Sequence, residues 1–137
     1  MRYHDLHLSG YTVSDFGSRI VLHLVSEYPG RPREESHIEF SDVACYHFVH
    51  TTSAVMTDLQ ELPVAQVVKQ NEVFLSATAK DQGLKFWKAD VNDYLHTLEK
   101  EGFRAWELGS AIGFTGFIVA KQARQLVAKK LVPEPQV

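Results

Sequence analysis

Histidines and acidic residues are the side chains of this chain best suited to chemistry, because seven histidines occur within 137 residues. Imidazoles bind transition metals, and the candidate pairs are His4-x-x-His7 and His47-x-x-His50. Both pairs fall in strand-like segments, where residues three apart point to opposite faces, so neither shares one ion without a bend. The chain also has a single cysteine and no HExxH or CxxC pattern. We therefore expect neither a metal nor a cofactor.

A second arrangement emerges when the first three predicted strands are laid side by side with their branched residues facing a core. A neighbouring carboxylate can orient an imidazole and move its pKa toward or past neutrality, which is what general acid-base chemistry requires. The alternative is a solvated sheet face whose opposite charges pair across strands, and we favour it. Val21 and Val25 share this face, which suggests partial cover by a helix or a partner. The candidate binding residues on this face are Asp5, His7, Arg19, His23, His37 and Glu39.

Other motifs that could carry chemistry are weaker. Gly109, Gly113 and Gly116 form neither a P-loop, which needs Gly-Lys-Ser/Thr, nor the GxGxxG dinucleotide fingerprint. We expect them to supply turn dihedrals and close packing between two strands. Ser110 lacks the context of a nucleophile elbow, and Cys45 lies in an apolar run where a thiol is usually inert. No catalytic residue is assigned.

The elements that must position the polar residues are mostly strands in the first half of the chain. Alternating apolar residues end at Gly10, and Pro29-Gly30 fits the centre of a type II turn. The apolar alternation changes phase at Ser41-Asp42, which predicts a bulge or a bend. The predicted strands are Tyr3 to Leu8, Arg19 to Glu27, Ser36 to Phe48 and, with a short helix as the alternative, Ala54 to Glu61.

Helices are predicted in the second half. Pro63 suits the first turn of a helix that frays before Gly83. Asp90 is a good N-cap for a second helix, and Gly102 can take the left-handed conformation just beyond its end. The remaining predictions are strands at Leu84 to Ala89, Phe103 to Leu108 and Phe114 to Ala120, the last two joined by a glycine-containing turn, then a short helix at Lys121 to Leu131 and a mobile tail at Val132 to Val137.

These elements predict an α+β fold, with a mainly antiparallel, twisted sheet of about six or seven strands and two principal helices. We expect one globular domain over residues 1–131. A net charge of -3 argues against nucleic acid as a partner, and no apolar run is long enough to span a membrane. A lone cysteine and the lack of an apolar signal segment in the first 30 residues favour the cytoplasm.

With no catalytic motif assigned, we expect a non-enzymatic protein-binding domain, similar in role to bacterial immunity or adaptor proteins. One alternative is a small-molecule-binding protein or an enzyme that uses the histidine and acid cluster in a concave sheet. Another is a homodimer formed through a sheet edge or through the covered face. Whether the chain is an enzyme stays open at this point.

Overall fold

The computed structural model describes residues 6–26, 30 and 33–131, with the backbone alone for residues 6, 33, 51–58, 110–113 and 127–131. Within these residues, no helix combines the length and apolar character needed to cross a membrane. The elements in chain order are β1 (Leu6–Ser14), β2 (Arg19–Ser26), β3 (Arg33–Leu62), α1 (Val64–Gln70), α2 (Glu72–Asp81), α3 (Val91–Lys100) and β4 (Arg104–Leu131).

The strands form one antiparallel sheet in the order β1-β2-β3-β4, and the start of β1 also pairs with β3, where His7 lies opposite Val55. β3 and β4 are 30 and 28 residues long. Their register is irregular between His50 and Val55, so each supplies two segments and the twisted, open sheet has six strand segments among the described residues. The predicted α+β class is confirmed, and the described residues form three helices where two principal ones were expected.

Two apolar clusters stabilise the fold. The first lies on the inner face of the sheet, where Ile20, Leu22 and Phe40 are fully buried and Phe40 meets the Trp106 ring edge-on at 5.3 Å. The second lies between the outer face and the helices, and its buried members include Val68, Leu75, Leu98, Tyr94 and Val119. The sheet therefore buries apolar side chains on both faces along part of its length.

The predicted boundaries in the first half need correction. Gly10 does not end the first strand, because a bulge between Leu8 and Gly10 lets β1 continue to Ser14. The third and fourth predicted strands belong to the single extended segment β3, whose register against β4 is irregular between His50 and Val55. The strand Arg19–Ser26 agrees with its prediction.

The predicted bend in the third strand is present. Asp42 has a φ of +53°, and the register against β4 shifts between Val43 and Cys45. Gly30 has the positive φ of +77° that the predicted turn requires. Pro29, Glu27 and the segment Tyr3 to Asp5 lie outside the described residues.

The helical predictions succeed where local signals are strong. Asp90 Oδ1 accepts a hydrogen bond from the Asp93 amide at 2.8 Å, and Gly102 has a φ of +81° just beyond α3. The helix expected after Pro63 is divided at Asn71, whose side chain donates to the Val67 carbonyl at 2.8 Å.

Three predictions in the second half are wrong. Leu84 to Ala89 is not a strand but a series of turns and bends, in which Phe86 has a φ of +74°. No turn separates Phe103 to Leu108 from Phe114 to Ala120, and Lys121 to Leu131 is strand instead of helix. Pairing with β3 outweighs the weak helix propensity of this last segment. The tail Val132 to Val137 lies outside the described residues.

Candidate functional site

The structure brings together four of the six predicted face residues. His23 of β2 lies directly opposite His37 of β3, and Glu39 lies opposite Val21, two residues from Arg19. His7 lies opposite Val25 on the same face of the sheet, where it is exposed, and Asp5 lies outside the described residues. We define the polar face as the outer surface of the sheet formed by Thr12, Arg19, His23, Glu35, His37, Glu39 and Arg124.

The two histidines are in direct contact. The Nδ1 atoms of His23 and His37 are 2.8 Å apart, with the rings edge to face. His23 Nε2 is 2.8 Å from Thr12 Oγ1, and His37 Nε2 is 3.3 Å from Glu35 Oε1. Burial, followed by the influence of His37, lowers the pKa of His23, while Glu35 acts in the opposite direction. His23 is therefore neutral at pH 7.

One assignment of protons satisfies every contact in this chain of side chains. The Thr12 hydroxyl donates to His23 Nε2, the His23 Nδ1–H donates to His37 Nδ1, and the His37 Nε2–H points to Glu35. If both ring nitrogens at the centre lacked a proton, two lone pairs would face each other at 2.8 Å. The pair therefore holds one proton between its rings, and a second would be repelled.

A second network joins three strands through one carboxylate. Arg19 donates to Glu39 Oε2 from Nε at 2.8 Å and Nη2 at 2.5 Å, and Arg124 Nη2 donates to Oε1 at 3.0 Å. The hydrogen bonds from Arg19 outweigh burial and lower the pKa of Glu39. Val21 and Val25, which share this face, are each 5% exposed. The polar side chains are thus held in place around a packed surface.

The turn between β1 and β2 ends the polar face with an exposed aromatic ring. Asp15 and Phe16 have φ values of +53° and +58°, and the Phe16 side chain is fully exposed. A left-handed backbone is uncommon for a bulky residue and is strained. Arg19 Nη1 is 3.5 Å from Ser14 Oγ, which places the turn beside the arginine network.

Sequence reasoning missed four residues of this region. Thr12 and Arg124 lie outside the predicted strands, and Glu35 lies just before the third predicted strand, two residues before His37. The period of a strand places such residues on one face, so Glu35 could have been found. Phe16 carries a signal of its own, since a large aromatic between turn residues has no strand or helix in which to be buried.

Three cavities bordered by described residues lie elsewhere, and no residue of the polar face lines them. No group of three or more histidine, cysteine or acidic side chains in the described part of the chain could hold a metal ion. Comparison with protein-family models, with curated proteins and with solved structures finds no significant match. The geometry of the polar face is therefore the main indication of function.

Proposed function

We propose that this chain is a non-enzymatic protein-binding domain, immunity- or adaptor-like in role, that recognises its partner through the polar face. The observation that carries this proposal is the network of Arg19, Glu39 and Arg124. Its side chains are held by cross-strand hydrogen bonds before any partner arrives, so less side-chain entropy is lost on binding.

Arg124 is the charged anchor of the proposed interface. Its side chain is 68% exposed although one N–H is bound to Glu39. A guanidinium carries five N–H donors in a planar fork, so the remaining donors can bind a carboxylate. Arginine is also enriched among the residues that dominate binding energy at protein interfaces. The partner should therefore present an acidic side chain at this position.

Phe16 is the apolar anchor at the turn that borders the polar face. Its ring is fully exposed. An aromatic side chain that gains no burial in the free protein can gain all of it in a complex. Backbone strain at an exposed aromatic residue is also a feature that functional sites can retain.

The test is quantitative affinity capture from an extract of the native cell, with the purified wild-type protein and matched variants as baits. Phe16→Ala and Arg124→Ala remove the two anchors. Val73→Ala and Arg104→Ala are the controls, because Val73 is 85% exposed on α2 and Arg104 pairs with Glu61 on an exposed surface. A protein captured by the wild type and the controls, but lost with both anchor variants, supports the proposal. Equal capture by all five baits, or no specific capture, contradicts it.

An enzyme that uses the histidine and acid cluster is the second candidate, and the chain of contacts from Thr12 through His23 and His37 to Glu35 favours it. Such a chain can move a proton from a hydroxyl toward a carboxylate. The pH–rate profile for hydrolysis of p-nitrophenyl acetate tests this candidate. Equal rates for the wild type and His23→Asn at every pH reject it.

A homodimer remains the third candidate, and a strictly monomeric mass in light scattering rejects it.

The proposal of a protein-binding domain includes a cytoplasmic location, without nucleic acid or membrane as a partner. It rests on the net charge of -3 and on the single cysteine of the chain.

A further inference from the structure

A groove of about 400 Å³ lies on the side of β3 away from β4, and it is separate from the polar face. Residues 43–48 of β3, the helix α2 and the turn between β1 and β2 border it. We call this cavity the edge groove. Its volume falls within the range of pockets that hold small organic molecules.

The backbone of β3 has a free edge in the edge groove. Pairing with β2 ends at Ser41, pairing with β1 involves Val55 and Met56, and the Val43 amide donates to the Ser18 carbonyl at 2.9 Å. Among the described residues, 45–50 therefore pair with β4 alone, and Ala44 lies at the register shift without a partner in the ladder. Alternate residues of an unpaired strand edge direct their N–H and C=O groups outward. The edge groove thus contains a row of backbone donors and acceptors.

Aromatic rings line the edge groove on both faces of this strand. On one face the His47 ring lies against Phe74 of α2, with centroids 4.0 Å apart and an interplanar angle of 34°. On the other face Tyr46 and Phe48 are in contact, with centroids 5.2 Å apart. Flat ring surfaces of this kind pack best against another planar group.

None of the described residues that line the edge groove is an aspartate, glutamate, lysine or arginine. Burial raises the pKa of Cys45 to about 12, so its thiol stays neutral. A charged ligand would lose water here without gaining an ionic partner, which is costly. The Thr78 hydroxyl donates to the Phe74 carbonyl at 2.8 Å and can still accept a hydrogen bond, and Gln82 adds an exposed amide.

We propose that the edge groove binds an uncharged planar heterocycle that presents adjacent N–H and C=O groups, as a lactam or pyrimidinedione ring does, to the free edge of β3. The rings of the groove then cover the faces of the heterocycle, while the strand backbone reads its polar edge. This site is independent of the polar face and of the partner proposed for it.

The test is a titration of the 15N-labelled protein with 2-quinolone, a neutral bicyclic lactam. Binding is monitored through the backbone amide resonances of the protein. Binding should shift the amides of residues 44–48. 1-Methyl-2-quinolone lacks the lactam N–H, and 2-quinolone-4-carboxylate carries a charge, so both serve as matched probes. Each should bind at least about fivefold more weakly. The methylated probe loses one neutral hydrogen bond, which contributes about 1 kcal/mol, and the charged probe loses water without gaining an ionic partner.

Variants on a single helix separate the edge groove from nonspecific binding. Thr78→Trp places an indole in the groove and should abolish the shifts, whereas Ser76→Trp, on the side of α2 that borders a different cavity, should leave them intact. Gln82→Ala removes only an exposed amide, so it keeps the test valid if Thr78→Trp fails to fold, and it should weaken binding. Equal affinity for all three probes, or no shift up to the solubility limit of 2-quinolone, overturns the proposal.

Discussion

Gly116→Ala should destabilise the protein far more than its size implies. Gly116 lies opposite Phe48 in the pairing of β4 with β3. A Cβ atom at this position would lie 2.4 Å from the His47 carbonyl oxygen, 2.7 Å from Phe48 Cδ1 and 3.2 Å from Phe48 Cα. Two of these three atoms are backbone, so a side-chain rotation alone cannot remove the clash.

The expected loss of stability depends on which groups must move to make room for the new methyl group. Separating β3 from β4 at Gly116 strains the ladder, and turning Phe48 away disturbs its ring contacts with Phe114 at 5.4 Å and Tyr11 at 5.0 Å. Overpacking in a core typically costs 1–3 kcal/mol, and a clash with backbone belongs at the upper end. We expect the free energy of unfolding to fall by about 3 kcal/mol, a large fraction of the roughly 5–15 kcal/mol of an ordinary domain.

Urea unfolding followed by tryptophan fluorescence measures this loss, because Trp106 is buried in the first core cluster. Gly109→Ala is the matched control, since it lies in the same strand and a Cβ there would meet no atom within 4 Å. The control should change stability by no more than about 0.5 kcal/mol. If the two variants differ by less than about 1 kcal/mol, the close approach of the two strands at Gly116 is not a real constraint.

Three further predictions concern ionisation, capping and strain. The pKa of His23 is lowered below 6.5 in the folded chain, so its contribution to stability is present above pH 6.5 and is lost as the pH falls below 6.5 through the lower folded-state pKa. His23→Asn should remove this part of the fall in Tm between pH 7.5 and 5.5, and an unchanged fall would contradict it. Asp90→Ala deletes the N-cap hydrogen bond of α3 and should cost about 1 kcal/mol in urea unfolding, whereas no measurable loss would show that the cap is unimportant. Phe16→Asn should raise the free energy of unfolding by about 0.5–1 kcal/mol, because asparagine tolerates a positive φ and the exposed ring contributes no packing; a loss of stability would show that the ring is packed.

Local signals made part of the fold predictable. The ends of α3 follow from Asp90 and Gly102, which act within a few residues of themselves. The continuation of β4 beyond Ala120 does not follow from local preference, because it is stabilised by pairing with much earlier residues of β3, as Arg124 is by Glu39, 85 positions before it. Such long-range pairing decides between strand and helix where propensity is weak.

The same distinction explains what could be predicted of the polar face. The period of two along a strand was enough to place His23 and His37 on one face, and the structure agrees. Their direct contact depends on the register between β2 and β3, which the sequence pattern alone does not determine. Thr12 and Arg124 could not be placed on the polar face, because neither lies in a segment that is predicted to be a strand.

The bend in β3 separates the two surfaces for which functions are proposed. Before the bend, the outward positions of β3 include His37 and Glu39, whose partners are other polar side chains on neighbouring strands. Asp42 and the register shift after Val43 are two irregularities, and together they return Cys45 and His47 to the outer side. Cys45 and His47 contact the helical layer, so the helices cover the outer face of the sheet after the bend. The strand β3 therefore contributes to both the polar face and the edge groove, and the bend keeps the charged residues of the first away from the second.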